Sequence, residues 1–139
     1  MRVREASAAD LIAILSIGTT TPWNKSAYLQ RQLSEGNVAV AELKGEVRGF
    51  IVWNREFFSL PFVWLVAVEP AHRRSGIASA LFDYVEHLCA GSRLYSSTNE
   101  SHAAMHAFFT KRGYHRAGTA DVDPGDPEVF YRIDLTPQA

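Results

Sequence analysis

Cysteine is almost absent from this chain: Cys89 stands alone among 139 residues. A single thiol excludes an internal disulfide, and no Cys/His spacing of the zinc-binding kind accompanies it. Long apolar runs are missing too. The longest nearly unbroken one, residues 60–68, is far short of the ~20 residues a membrane-spanning helix needs. The charged opening Met1-Arg2-Val3-Arg4-Glu5 is followed by no signal-peptide core. Nor is there an excess of one charge: the formal net charge is −1, which argues against binding nucleic acid by bulk phosphate neutralisation. Any anion must therefore be held by a local arrangement of groups. A cytoplasmic protein with no membrane and no nucleic-acid partner is expected.

What is present suits a packed domain. The length and the 47% hydrophobic content fit one domain spanning residues 1–139, which can bury roughly two-thirds of its unfolded surface without a metal or disulfide. No repeat, linker or low-complexity tract divides it.

Residues 2–6 alternate as a short strand, and residues 8–17 follow a helical pattern broken at Gly18-Thr19-Thr20-Thr21-Pro22. Residues 24–35 form a second helix with Gly36 as its stop. Two strands follow, 38–43 and 47–53, joined through Gly45. Residues 62–68 are apolar on both alternating faces, as a doubly covered strand should be. Ile77, Leu81, Tyr84, Val85 and Leu88 mark an amphipathic helix over 74–90, capped by Gly91. A strand at 93–97, a helix at 101–112 ended by Gly113, and strands at 114–119 and 129–135 complete the chain. This order predicts an α/β domain with a mixed, mostly antiparallel sheet of about seven strands and about four helices.

The segment Val66-Ala67-Val68-Glu69-Pro70-Ala71-His72-Arg73-Arg74-Ser75-Gly76-Ile77-Ala78-Ser79-Ala80-Leu81 carries the chemistry. A buried strand runs into a turn rich in cations and small residues, and a helix begins. At such a start several N–H groups lack an intrahelical partner and the helix dipole adds positive charge. Gly76 admits a ligand close to the backbone, Ala78 and Ser79 keep the first turn narrow, and Arg73 and Arg74 offer forked donors to phosphate oxygens. These parts suit a pyrophosphate. Neither G-x-x-x-x-G-K-[ST] nor G-x-G-x-x-G occurs; taken alone, Arg-x-x-Gly-x-Ala reads first as a plain strand-to-helix turn with solvated arginines.

In context, Val-x-Pro followed by Arg-x-x-Gly-x-Ala and an amphipathic helix resembles the acetyl-coenzyme A signature of the GNAT N-acetyltransferase family. The element order is similar to that family's over nearly the whole chain, and residues 99–114, a helix leading to Gly113-Tyr114, resemble its second hallmark. The resemblance implies transfer of an acetyl group from acetyl-coenzyme A to an amine of a small molecule or peptide, without a metal. It implies that the backbone of Val66, Ala67 and Val68 bonds the pantetheine arm between the fourth and fifth strands. The amides of Arg73, Arg74, Ser75, Gly76, Ile77, Ala78 and Ser79 would take the pyrophosphate, and a backbone N–H near Val68 would stabilise the carbonyl oxygen. Family members are often dimers, so a homodimer is an open expectation.

Two positions depart from the family pattern. Four residues before Gly113, where many members carry a proton-donating tyrosine, stands Phe109. The helix-opening asparagine is replaced by His102, with Asn99 one turn earlier as an alternative amide. Three readings stay open: water or another group protonates the leaving sulfur, His102 or His106 takes over, or the domain binds acyl-coenzyme A without transferring the acyl group. Glu69 is a candidate base or a solvated acid before a proline. Asp123, Asp126 and Glu128 either attract a cationic acceptor or are ordinary turn residues. Trp23, Trp53 and Phe57 are candidates for the acceptor side; core packing explains Trp53 equally well, and Phe57-Phe58, expected in a loop, line either an acceptor pocket or a dimer contact.

Overall fold

Where the hydrophobic period changes from two to 3.6, the chain changes from strand to helix. A computed structural model describes residues 1–19 and 26–138. Its elements are β1 (Arg2–Glu5), a 3-10 turn (Ala8–Asp10) leading into α1 (Leu11–Gly18), α2 (Ser26–Ser34), β2 (Val38–Leu43), β3 (Glu46–Phe57) and β4 (Leu60–Val68). A second 3-10 turn (Pro70–His72), α3 (Ile77–Leu88), β5 (Arg93–Asn99), α4 (Ala103–Lys111), β6 (His115–Ala120) and β7 (Glu128–Asp134) follow. The sheet order is β1-β2-β3-β4-β5-β7-β6. β4 and β5 pair in parallel, with Phe62 opposite Tyr95 and Val63 opposite Ser96; the β1–β2, β2–β3, β5–β7 and β6–β7 pairs are antiparallel. The fold is the mixed, mostly antiparallel α/β sheet that the sequence predicts. Trp23, the break at 20–22 and the start of the second helix at 24–25 lie outside the described residues.

The chain packs as two units. The first comprises Met1–Trp53 and Leu65–Leu88. Its core holds Ile14, Leu29, Phe50, Ile51, Leu81 and Phe82, each no more than 2% exposed, and each such side chain contributes about 1.5–3 kcal/mol on burial. Arg4 pins the N-terminal strand: its guanidinium donates to both carboxylate oxygens of Asp10 (2.8 and 2.9 Å) and to Glu42 (3.1 Å). Gly49 on β3 sets the position of α3. A Cβ there would lie 2.6 Å from Ile77 Cγ2 and 3.1 Å from the Ala67 carbonyl oxygen, so only glycine lets the first residue of α3 rest on β3.

The second unit comprises Asn54–Trp64 and Cys89–Ala139. Its helix, α4, buries Phe109 completely, stacked on Tyr131 at 4.7 Å and 5.3 Å from Tyr114. Burial raises the Cys89 thiol above its ordinary pKa, which makes it an unreactive packing residue. No described helix is long and apolar enough to cross a membrane.

Two expectations are corrected. The helix expected from residue 74 starts at Ile77, because Arg74 (φ 65°) and Gly76 (φ 82°) are left-handed and cannot open a right-handed helix. Phe57 is not in a loop. It ends β3, and the turn is Phe58-Ser59, both at positive φ (52° and 62°), the geometry of a tight two-residue hairpin. The strand is held to its end by Phe57, whose ring packs on Phe62 at 4.7 Å and Tyr95 at 5.3 Å.

Candidate functional site: an amide-lined corner after β4

In the first unit, the chain leaving β4 is shaped by its own backbone bonds. Glu69 N–H donates to the Arg48 carbonyl at 2.8 Å, His72 N–H to Glu69 at 2.8 Å and Arg73 N–H to Pro70 at 3.4 Å. Arg73 is extended (φ −64°, ψ 152°), and Arg74 and Gly76 are left-handed. The Ser75 hydroxyl donates to the His72 carbonyl. Ala80 N–H donates to the Gly76 carbonyl at 3.0 Å, so Gly76 stands as the N-cap of α3.

Between these bonds lies a run of unspent donors. Among the described residues, no backbone N–H of 74–79 has a protein acceptor. Left-handed Arg74 and Gly76, on either side of Ser75, bend this run of amides as anion-binding nests do, and the first turn of α3 adds its dipole. A Cβ on Gly76 would meet no atom within 4 Å, so the space above it is open. Arg73 and Arg74 are exposed beside it. These residues fit a diphosphate. Of the seven amides the sequence suggested, that of Arg73 is already taken by Pro70 and six remain.

Val66, Ala67 and Val68 form the last stretch of β4. The Glu69 carboxylate is held by Arg48 at 2.8 Å, and Arg48 also binds Glu46. The Arg48 bond engages Oε2 and leaves Oε1 without a hydrogen bond, so Oε1 is the oxygen open to an incoming proton. His72 Nδ1, screened from solvent, faces Glu69 at 3.9 Å without a hydrogen-bond partner. Trp53 is half-buried and donates its backbone N–H to Asn37 at 3.0 Å.

The second unit sorts the remaining candidates. Asn99 Nδ2 donates to the Asp126 carbonyl at 3.3 Å. The Asp126 carboxylate accepts from Ser101 N–H at 3.0 Å and Ser101 Oγ at 2.7 Å, and these bonds hold it below the usual carboxylate range. Asp126 is thus a clamp on the loop before α4. Asp123 is exposed. Glu128 accepts from Ser97 Oγ at 2.6 Å. His102 is the N-cap of α4, with Nδ1 3.2 Å from Thr98 Oγ1.

His106 has both ring nitrogens engaged. Nε2 faces the carbonyls of Asn99 (3.1 Å) and Glu100 (3.0 Å), and Nδ1 lies 2.6 Å from the Tyr131 hydroxyl. Two carbonyl acceptors require a proton on Nε2, so in the neutral ring Nδ1 accepts from Tyr131. A cavity of about 510 Å³, lined in part by His106, Tyr114, Arg116 and Tyr131, opens beside the pair. Sequence reasoning missed the Tyr131–His106 and Arg48–Glu69 pairs, whose members are 25 and 21 residues apart; no local pattern signals either.

Topology and corner together describe an α/β domain able to hold an anionic group at a helix start. The model of the Acetyltransferase (GNAT) family matches residues 8–114, and the chain belongs to that family. Among solved structures, a GNAT-family acetyltransferase from Bacillus cereus ATCC 10987 is 28% identical, with TM-score 0.85 and 96% of each chain covered. Ard1 from Thermoplasma volcanium is 21% identical, with TM-score 0.85 and 96% of this chain and 97% of that one covered. The structure of yncA from Salmonella typhimurium, solved with its cofactor acetyl-CoA, is 19% identical, with TM-score 0.75 and coverage of 99% and 95%. The latter two likenesses concern the fold. Among curated proteins, none matches the sequence.

Proposed function

We propose that this chain is an N-acetyltransferase that moves an acetyl group from acetyl-coenzyme A to a primary amine of a small molecule or peptide. One observation carries the reading: the six unpaired amides of 74–79, bent into a nest beside two arginines. They would take the diphosphate, while the backbone of Val66, Ala67 and Val68 would offer the pantetheine arm a strand-like partner. Bound acetyl-coenzyme A supplies an activated thioester. The Val68 N–H is our candidate donor to its carbonyl oxygen, and Glu69 is retained as base through Oε1, which Arg48 leaves free. With Phe109 lacking a dissociable proton and both nitrogens of His106 engaged, we assign protonation of the leaving sulfur to water. A cytoplasmic location belongs to this reading.

Phe109 also supports a second reading, a module of the same fold that binds acyl-coenzyme A without transfer. An amine-panel assay separates them. An enzyme releases free thiol and yields an acetylated product by mass; a binding module gives a thermal shift with coenzyme A and no thiol above background hydrolysis.

A further inference from the structure

We propose that one face of the sheet in the second unit is a recognition platform for a small cationic amine with an aromatic or similarly apolar body. This deepens the acetyl-transfer reading by naming the acceptor class, and rests on it. Strand register builds the platform. Phe62 is opposite Tyr95, Ser97 opposite Phe130, and Asn99 opposite Glu128. Since alternate residues share a face, Tyr95, Ser97, Glu128 and Phe130 lie together. Tyr131 and Ser96 fall on the other face, where Phe109 of α4 stacks on Tyr131.

The rings form one connected surface. Phe57 stacks on Phe130 at 5.8 Å and 20°, and Trp64 lies 4.3 Å from Phe62. Phe62 is buried, but Phe57, Trp64, Tyr95 and Phe130 are only half-buried. Phe58, edge-on to Phe57 at 5.0 Å, is 84% exposed. Its left-handed backbone costs free energy that a buried contact does not repay. A contiguous set of part-exposed rings ending in an exposed Phe58 marks an interaction surface.

Charge selects the occupant. Glu128, half-buried beside Phe130, has only the Ser97 hydroxyl as partner; among the described residues no Lys, Arg or His pairs with it. The cation on the same face of β7, Arg132, is paired with Asp134 at 3.0 Å. Aromatic faces attract cations, and a partly desolvated carboxylate without a counter-charge attracts an ammonium most. A polyamine satisfies the carboxylate but leaves the rings wet; a neutral arene does the reverse.

The test is calorimetric titration of the full chain with 2-phenylethylamine, 2-phenylethanol, spermidine and an alanine-initiated peptide, with thiol-release kinetics on the three amines. 2-Phenylethylamine should bind at least tenfold tighter than the other ligands and show the lowest KM. Glu128→Gln should weaken it about tenfold, leaving 2-phenylethanol and acetyl-coenzyme A affinities unchanged. Phe58→Ala, at an exposed turn position that does not endanger folding, should weaken both aryl ligands several-fold. Equal or tighter binding of spermidine or the peptide overturns the platform, as does a Glu128→Gln variant with unaltered affinity. Glu128-dependent binding without thiol release supports the platform and refutes transfer; acetylation indifferent to Glu128→Gln refutes the platform alone.

Discussion

Gly76 and Gly45 form a matched pair that isolates the anion cradle from backbone cost. Both are left-handed, at φ 82° and 80°, and a Cβ on either meets nothing within 4 Å. A side chain at either position costs about 1 kcal/mol of left-handed strain, a Tm loss of about 3 °C for a chain of this length. Glutamate therefore adds the same backbone strain at the two sites, and at Gly76 the free amides and helix dipole offset part of it. Only at Gly76 does the carboxylate enter the nest. A charge held ~5 Å from a diphosphate, at an effective dielectric of about 20, repels it by about 3 kcal/mol, or more than about 100-fold in affinity. Titration calorimetry with coenzyme A should show Gly45→Glu binding like the parent and Gly76→Glu at least about 100-fold weaker, with Gly76→Glu melting no lower than Gly45→Glu. If Gly76→Glu binds as Gly45→Glu does, the diphosphate is not held by these amides and the site assignment fails.

Gly49→Ala places a methyl 2.6 Å from Ile77 Cγ2; overpacking of this kind costs about 1–3 kcal/mol. Because the strain falls on the first residue of α3, coenzyme A affinity should drop together with urea stability, and a variant with altered stability but full affinity would uncouple the two. Arg4 holds the Asp10 carboxyl below its ordinary pKa. Its stabilisation is therefore complete above the unfolded value of about 3.9 and disappears as pH falls through the lower folded value. Asp10→Asn should lose about 2 kcal/mol at neutral pH and show a flatter urea midpoint than the parent below pH ~4; parallel profiles would refute the pairing. His106→Ala strands the Tyr131 hydroxyl, so Tm should fall by several degrees with turnover per folded molecule unchanged, whereas a collapse in kcat would make His106 catalytic.

Residues whose role depends on neighbours along the chain were legible, and those whose role depends on distant partners were not. Continuous apolar character announced β4, and Gly76 among arginines and small residues marked the turn whose amides the fold leaves unpaired. Arginine is a good helix former, though, so nothing local warned that Arg74 would be left-handed and delay α3 to Ile77. Asp126 and Glu128 read alike as acids in one turn-rich loop. The fold gives one to Ser101 as a clamp and leaves the other on Ser97, a division made by β5 lying next to β7. His102 and His106 are spaced as neighbours on one helix face, yet only the second reaches Tyr131. The aromatic platform lies between these cases. That Glu128 and Phe130 share a face follows from strand period alone. That Tyr95, Ser97 and Phe62 come to lie alongside them follows from the order β4-β5-β7, in which a strand late in the chain is inserted before its predecessor. Local pattern cannot dictate such an insertion, so an aromatic surface built on it becomes visible only once the sheet is assembled.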